Sequence, residues 1–279
     1  MAMARAAWPR LATLLLLAAL AGGCARPVQP PGEPVDMAAA HAAWNTFRRM
    51  AENATVQGFA LTASCNYAGK AQSRRVVLRL WGGTDLPLRL DLRAGIGATV
   101  ALFEETGSGF TAYVPDRSIA YLAPDSRAGL GAFGLRLPFG LPVLARLATG
   151  GLWEAHGPEN MPLLPAAFAG TRLVPGQGFA YDLGNTAPVS LVVLDFEGRP
   201  LRWEGPASHR WTLEFFGHNT VGEGRFFPPD RMTLTMPSGD KALLAVKELA
   251  LRATPWPDEA LALPLPPGTR LERIPGLFN

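Results

Sequence analysis

Apolar and polar residues alternate one by one through much of this chain. In "LPLRLDLR" (86–93), Leu86, Leu88, Leu90 and Leu92 point one way while Arg89, Asp91 and Arg93 point the other. A period of two belongs to a β-strand, and strict alternation marks an antiparallel sheet with one dry and one wet face. "TVQGFALTASCNY" and "SRRVVLRLW" before it, and "ATVALFEE", "GFTAYV" and "SIAYLA" after it, read the same way across short turns such as "GGTD". A second run holds "GFAYDL", "SLVVLDF", "PLRWEG", "HRWTLEFF", "RMTLTM" and "ALLAVKELALRA". The pattern predicts about 11–12 strands.

Two stretches break the alternation. Asp36 can cap a helix that starts at Met37, and Ala40, Trp44, Phe47 and Ala51 then recur at helical spacing. Residues 126–151, "SRAGLGAFGLRLPFGLPVLARLATGG", hold only Arg127, Arg136 and Arg146 as charges, with many glycines and two prolines. Two short apolar helices are expected there, near 128–133 and 141–148. A long antiparallel sheet tends to curl, and apolar helices must bury themselves against its dry side. The fold class is mainly β with a few helices: a curled antiparallel sheet whose apolar face is plugged by them. Residues 37–279 read as a single domain, with a helical lid insert at about 126–151 and a Pro-rich tail at 254–279 that wraps the sheet edge.

The first 36 residues follow another logic. Arg5 and Arg10 give a positive start, 11–20 is an apolar core, and Ala21, Gly22 and Gly23 are small. That is the layout of a signal peptide over 1–23, with a core too short to span a bilayer. Cys24 directly after the small residues resembles the lipobox of bacterial lipoproteins, with Ala21 where Leu is commonest. The resemblance implies a diacylglycerol on the Cys24 thiol, and several acyl chains anchor stably where one does not. In such proteins Asp after the cysteine signals inner-membrane retention. Ala25 therefore points to the outer membrane, lipid-anchored and facing the periplasm. "ARPVQPPGEPVD" (25–36) cannot pack a core and favours polyproline II, so 24–36 reads as an acylated tether. Twelve residues at roughly 3.1 Å each would reach about 37 Å.

Composition changes the picture little. Hydrophobic content of 48% supports a sizeable core. Removing Arg5 and Arg10 with the leader leaves 24 basic against 23 acidic residues, and the basic ones are scattered, which argues against a nucleic-acid partner. Cys65 shares the alternate face of its strand with Phe59, Leu61 and Ala63, as a small buried hydrophobe would.

Candidate chemistry is sparse. "GLGAFG" (129–134) matches G-x-G-x-x-G but lacks the strand before and helix after that dinucleotide binding needs. Ser238 and Lys241 have the spacing of a serine acyl-enzyme pair, yet "PSGDK" stands between two strand-like runs and reads as a hairpin turn. His41, His156, His209 and His218 form no metal-ligand pattern. Glu104 and Glu105 at a strand end read as a solvated edge. No metal, cofactor or active site is called for, and the expectation is a protein that is not an enzyme.

The lipobox, amphipathic helix and curled sheet together resemble the LolA/LolB-like lipoprotein-sorting family. "LRLDLRAGIGATVALFEETGSGFTAYVPDRSIAYLA" (88–123) is similar to its central hairpins and "PPDRMTLTMPSGDKALLAVKELAL" (228–251) to its closing strands. The likeness is diffuse and runs from about Trp44 to Arg252. It implies an unclosed half-barrel with helices on its concave side and an apolar cavity for lipoprotein acyl chains. For that cavity the apolar positions offer Trp44, Phe47, Leu88, Leu90, Leu92, Leu102, Leu130, Phe133, Leu141, Leu144, Trp203 and Trp211. The implied partners are acylated lipoproteins, a periplasmic lipoprotein carrier that hands them over without ATP, and outer-membrane lipid. In the family's receptor a turn between two strands exposes a Leu. "RAGIGAT" (93–99) occupies that place, so Ile96 between two glycines would be the membrane-contact residue, unless it folds back under the sheet. The same fold with a filled core would instead serve as a membrane-tethered scaffold of an envelope complex.

Overall fold

The computed structural model describes residues 34–52, 56–69, 73–95, 97–150, 164–165, 167–184, 188–218 and 229–277. The signal peptide, Cys24, most of the tether and Ile96 lie outside them.

Among the described residues fourteen strands form one sheet: β1 Gly58–Ala68, β2 Ser73–Gly82, β3 Leu88–Ala94, β4 Thr99–Thr106, β5 Gly109–Val114, β6 Ile119–Ala123, β7 Gly170–Val174, β8 Gly178–Asp182, β9 Leu191–Asp195, β10 Pro200–Glu204, β11 Thr212–His218, β12 Pro229–Thr235, β13 Lys241–Arg252 and β14 Arg270–Arg273. Their order is β14-β6-β5-β4-β3-β2-β1-β13-β12-β11-β10-β9-β8-β7, so β14 and β7 are free edges and the sheet is unclosed. Neighbours are antiparallel except β14, which runs parallel to β6. Among the described residues four α-helices accompany the sheet: α1 Met37–Glu52, α2 Ser126–Ala132, α3 Leu141–Thr149 and α4 Asp258–Leu261.

Helix α1 starts where Asp36 Oδ1 accepts the Ala39 N–H at 3.0 Å. Ala40, Ala43, Trp44 and Phe47, spaced three and four apart, are all buried. Trp44 lies 5.0 Å from Tyr181, Phe47 meets Trp203 edge-on, and the Tyr181 hydroxyl donates to the Ala40 carbonyl at 2.7 Å. Helix and β8–β12 thus share one apolar cluster. A second cluster joins β1–β6 to α2 and α3 through Phe59, Leu61, Leu80, Leu88, Leu90, Phe103, Phe110, Leu130 and Leu141. Both clusters lie on the concave face.

The tail explains two departures from the expected pattern. It crosses the convex face before adding β14 to the sheet. The Trp256 indole donates to the Phe59 carbonyl, the Trp81 indole to the Ala260 carbonyl, and the Arg89 guanidinium to the Ala262 carbonyl. Glu104 Oε1 accepts the Leu263 N–H at 3.2 Å. The supposedly wet face of β3 is therefore covered at Arg89, which is only 5% exposed, while Arg93 stays exposed. β14 and the short β7 bring the strand count above that expected. Leu86 also leaves its expected row: it stands exposed in the turn before Pro87, outside β3.

Candidate functional site

The concave face is closed at one end by α2 and α3. Asp125 caps α2 by accepting the Ala128 N–H at 2.8 Å. Gly129 faces the Phe110 ring so closely that a Cβ there would overlap it, which is why α2 can lie flat on β5. The Ser126 N–H donates to Glu105 Oε1 at 2.9 Å, and Ser126 Oγ accepts the Leu141 N–H at 2.7 Å. One buried polar chain thus ties β4 to the starts of both helices. At the far end of α3, Arg146 pairs with Asp85 in the β2–β3 turn, and Thr149 Oγ1 bonds the Ala145 carbonyl.

Glu105 corrects the expectation of a solvated acidic edge. It points into the concave core beside Leu88 and Phe110, its register partners, and is 5% exposed. Burial pushes its carboxyl pKa up, while the bonds from Ser126 partly oppose the shift. A raised carboxyl pKa means the neutral form is favoured in the fold. The corresponding stability is complete below the unfolded carboxyl's pKa and is lost as pH rises through the folded value. Glu105→Gln keeps an oxygen for Ser126 and removes the charge. Its melting temperature is expected to exceed wild type at pH 8 and to converge with it in mild acid. A gap that widens toward acid would mean the charge is stabilising.

Helix α3 sits between the two clusters. Val143 and Leu147 belong to the α1 cluster, whereas Leu141, Ala145 and Ala148 belong to the other. Leu137, Leu144 and Leu244 touch both and are only half-buried. Beneath them runs β13, whose concave residues Ala242, Leu244, Val246, Leu249 and Leu251 are all half-buried. β1 flanks this strand with buried Phe59, Leu61 and Ala63 and half-buried Cys65 and Tyr67, and β12 flanks it with buried Met232 and Leu234 as far as Ala245, so it reads as the floor of an apolar trough. From Ala242 to Leu251 this half-buried row runs about 30 Å at a strand's rise per residue, with β12 alongside only its first half. The inward face changes phase midway: Val246 pairs with Ala63 and Glu248 with Thr62, leaving Lys247 as the bulged residue.

The residues expected to line one cavity separate into three places. Trp44, Phe47, Trp203 and Trp211 are buried in the α1 cluster; Leu88, Leu90, Leu92, Leu130 and Leu141 are buried in the other. Phe133 and Leu144 are half-buried, with Leu144 over the trough. Leu102 is on the opposite face. It neighbours Tyr113 and packs with the tail's Leu263 and Leu265, because Ala101 and Phe103 take the concave positions of β4 and period two sends Leu102 outward. Sequence reading missed Leu137, Leu244, Val246, Leu249 and Leu251. The available signal was the slip from Ala242-Leu244-Val246 to Leu249-Leu251 within "ALLAVKELAL".

The mouth of the trough is polar. Tyr67 donates its hydroxyl to Asp240 Oδ2 at 3.1 Å. Burial raises its pKa, the bond to Asp240 and that carboxylate's charge raise it further, and the positive charge of Arg136 opposes them. Cys65, one row deeper, is half-buried, and burial pushes its thiol pKa up. That is the reverse of what a reactive thiol needs. A separate surface groove of about 460 Å³ on the convex face has polar walls of Arg79, Arg93, Arg252, Asp91 and Glu248 over Ala60 and Ala250. Among the described residues no cluster of three or more His, Cys, Asp or Glu could hold a metal, and no helix is long and apolar enough to cross a membrane.

No family model matches the sequence, and no curated protein matches it. Solved structures do resemble the fold. A LolA superfamily protein from Nitrosomonas europaea is 12% identical with a TM-score of 0.50, over 80% of this chain and 98% of that one. An outer membrane lipoprotein-sorting protein domain from Vibrio parahaemolyticus is 14% identical with a TM-score of 0.53, over 79% and 96%. A DUF1329 family protein from Desulfovibrio piger is 12% identical with a TM-score of 0.52, over 80% and 99%. An unclosed antiparallel sheet with helices on its concave face, matched over nearly the whole length of these proteins, means that the chain carries the LolA-like fold.

Proposed function

We propose that this protein is a lipid-anchored envelope protein that binds the acyl chains of lipoproteins and delivers them to the outer membrane, by binding alone and without catalysis. The observation that carries the reading is the half-buried apolar trough along β13 under α3. A core that served stability alone would close that seam, since each fully buried Leu or Val contributes about 1.5–3 kcal/mol. The lipobox at Cys24 and the lipoprotein-sorting name of one structural neighbour support the lipoprotein as cargo. A carrier in the periplasm would supply it. Mass spectrometry of lipid co-purifying with the protein tests the reading: acyl chains at near-stoichiometric amounts are expected. Their absence, together with no saturable uptake of a fluorescent fatty acid, would overturn it.

One observation favours the scaffold instead. Phe47, Leu88, Leu130, Leu141 and Trp203 are essentially without exposure, so much of the concave face is already filled by the protein itself. A face filled by the protein's own side chains is what a tethered structural module would have.

Delivery needs a part that touches the bilayer. Ile96 lies outside the described residues, but its neighbours define a hairpin tip. Ala94 N–H donates to the Ala98 carbonyl and Gly97 N–H to the Ala94 carbonyl, both at 2.8 Å. Gly95 and Gly97 are exposed, with open space around each. Inserting an Ile from such a tip into lipid would gain roughly 1.5–3 kcal/mol. Ile96→Glu is expected to keep stability within about ±0.5 kcal/mol while impairing transfer of a bound lipoprotein into liposomes. Unchanged transfer would remove this tip from the mechanism, and a large stability loss would place Ile96 in the core.

A further inference from the structure

Strand pairing orders the mouth of the trough in rows. The outermost concave row runs Leu234, Ala242, Tyr67, Arg74 across β12, β13, β1 and β2. The next row inward runs Met232, Leu244, Cys65, Val76, Ala94, and the one after it includes Val246, Ala63, Leu78, Leu92. Polarity falls from row to row. Arg74 is exposed at the rim; Val76 and Leu78 below it are half-buried.

The loop between α2 and α3 roofs these rows. Leu135 and Leu137 pack against the concave clusters, and Arg136 between them is exposed. Arg136 comes close enough to Tyr67 for its charge to act on the phenol. The rim carboxylate, Asp240, is engaged by the Tyr67 hydroxyl. Arg74, by its register with Tyr67, stands at the rim of the floor, and Arg136, between two leucines packed on the concave cluster, lies within electrostatic reach of the same phenol. An amphiphile with a negative end matches both features at once: its chain replaces water along the half-buried residues, and its head meets the arginines. Guanidinium groups suit this task, because their planar donors pair with both oxygens of a carboxylate or phosphate.

We propose that Arg74 and Arg136 form an anionic head-group site at the mouth of the trough, holding the carboxylate or phosphate of an amphiphile whose acyl chain lies along Val76, Leu78, Leu244 and Val246. The inference rests on the acyl-binding reading above and names the chemical class that the mouth selects.

The full acylated chain, reconstituted in phosphatidylcholine vesicles, is labelled with a palmitate carrying a photoreactive diazirine in its chain, or with the methyl ester of the same probe. Labelled positions are then mapped by peptide mass spectrometry. The acid is expected to label β2 and β13 several-fold more than the ester. In the Arg74→Gln, Arg136→Gln double variant, acid labelling is expected to fall roughly tenfold, the scale of losing charged hydrogen bonds, while ester labelling stays as in wild type. Both residues are exposed, so the fold should tolerate the change. Displacement of the probe by lysophosphatidylglycerol at lower concentration than by palmitate assigns the site to a phosphate head; the reverse order assigns it to a carboxylate. Equal displacement by lysophosphatidylcholine and lysophosphatidylglycerol, or equal labelling by acid and ester, overturns the head-group site and leaves acyl binding standing. No labelling of β2 or β13 by either probe overturns both.

Discussion

Leu141→Ala should cost about 2–5 kcal/mol of stability, the usual range for a buried Leu cut to Ala, while Leu144→Ala should cost far less and weaken acyl binding. The two leucines are three residues apart on α3, yet their surroundings differ. Leu141 has no exposure and sits wholly within the cluster around Leu88 and Phe110. Its N–H is also the one held by Ser126 Oγ, so the cavity left by Leu141→Ala opens beside the point that fixes the start of α3. Leu144 is half-buried over β13 and touches both clusters without belonging to either. Truncating it removes about half the burial of a core Leu, roughly 1 kcal/mol, and strips one wall of the trough. Urea melts read the first quantity, and titration with a fluorescent fatty acid reads the second. If Leu144→Ala matched Leu141→Ala in stability loss and the wild type bound no probe, the seam would be ordinary core and the scaffold reading would gain.

That contrast marks how far the residues alone could be read. Twelve of the strands were located because each carries its own local signal, alternation in most and a short continuous apolar run in β9. β14 carries none: four residues, "RLER", become a strand only because β6 offers an unpaired edge alongside. β7, "GTRLV", is likewise held by β8. Helix α1 was legible from capping and spacing, since Asp36 and the run through Trp44 and Phe47 are local facts, and α2 and α3 from the apolar break at 126–151; α4 in the tail was not read. Which face of a strand is dry was legible only where one face meets water. On β3 and β4 the tail covers the second face, so Arg89 and Leu102 are both enclosed by residues more than 150 positions away in the chain. Glu105 was misread for a related reason. Its place at a strand end hides that α2 and α3 converge on it, and the bond that its Oε1 accepts comes from a backbone N–H, which every non-proline residue has. The site itself was the least legible part. Large aromatic and leucine positions look like a binding cavity, but most of them are core. The trough is marked by incomplete burial, a property of packing with no residue-level signature beyond the phase slip in β13.

Binding and anchoring are separable in this architecture. Everything that builds the trough lies between residues 35 and 277, while membrane attachment is assigned to Cys24. The apolar core at 11–20 is too short to span a bilayer, and no described helix can cross one. On the proposed reading, residence in the outer membrane rests on the acyl chains, each worth about 0.8 kcal/mol per buried methylene, with several chains needed for a stable hold. A serine hydroxyl cannot replace the thiol that forms the thioether. Cys24→Ser is therefore expected to abolish incorporation of labelled palmitate, retain the 23-residue leader as a heavier band, and remove the protein from the outer-membrane fraction of a density gradient. Fatty-acid titration of the same variant should give a wild-type dissociation constant, because no trough residue has changed. Normal labelling and outer-membrane fractionation of Cys24→Ser would refute the lipobox. Tighter fatty-acid binding in it would show instead that the acyl chains on Cys24 fold back into the trough and compete for it.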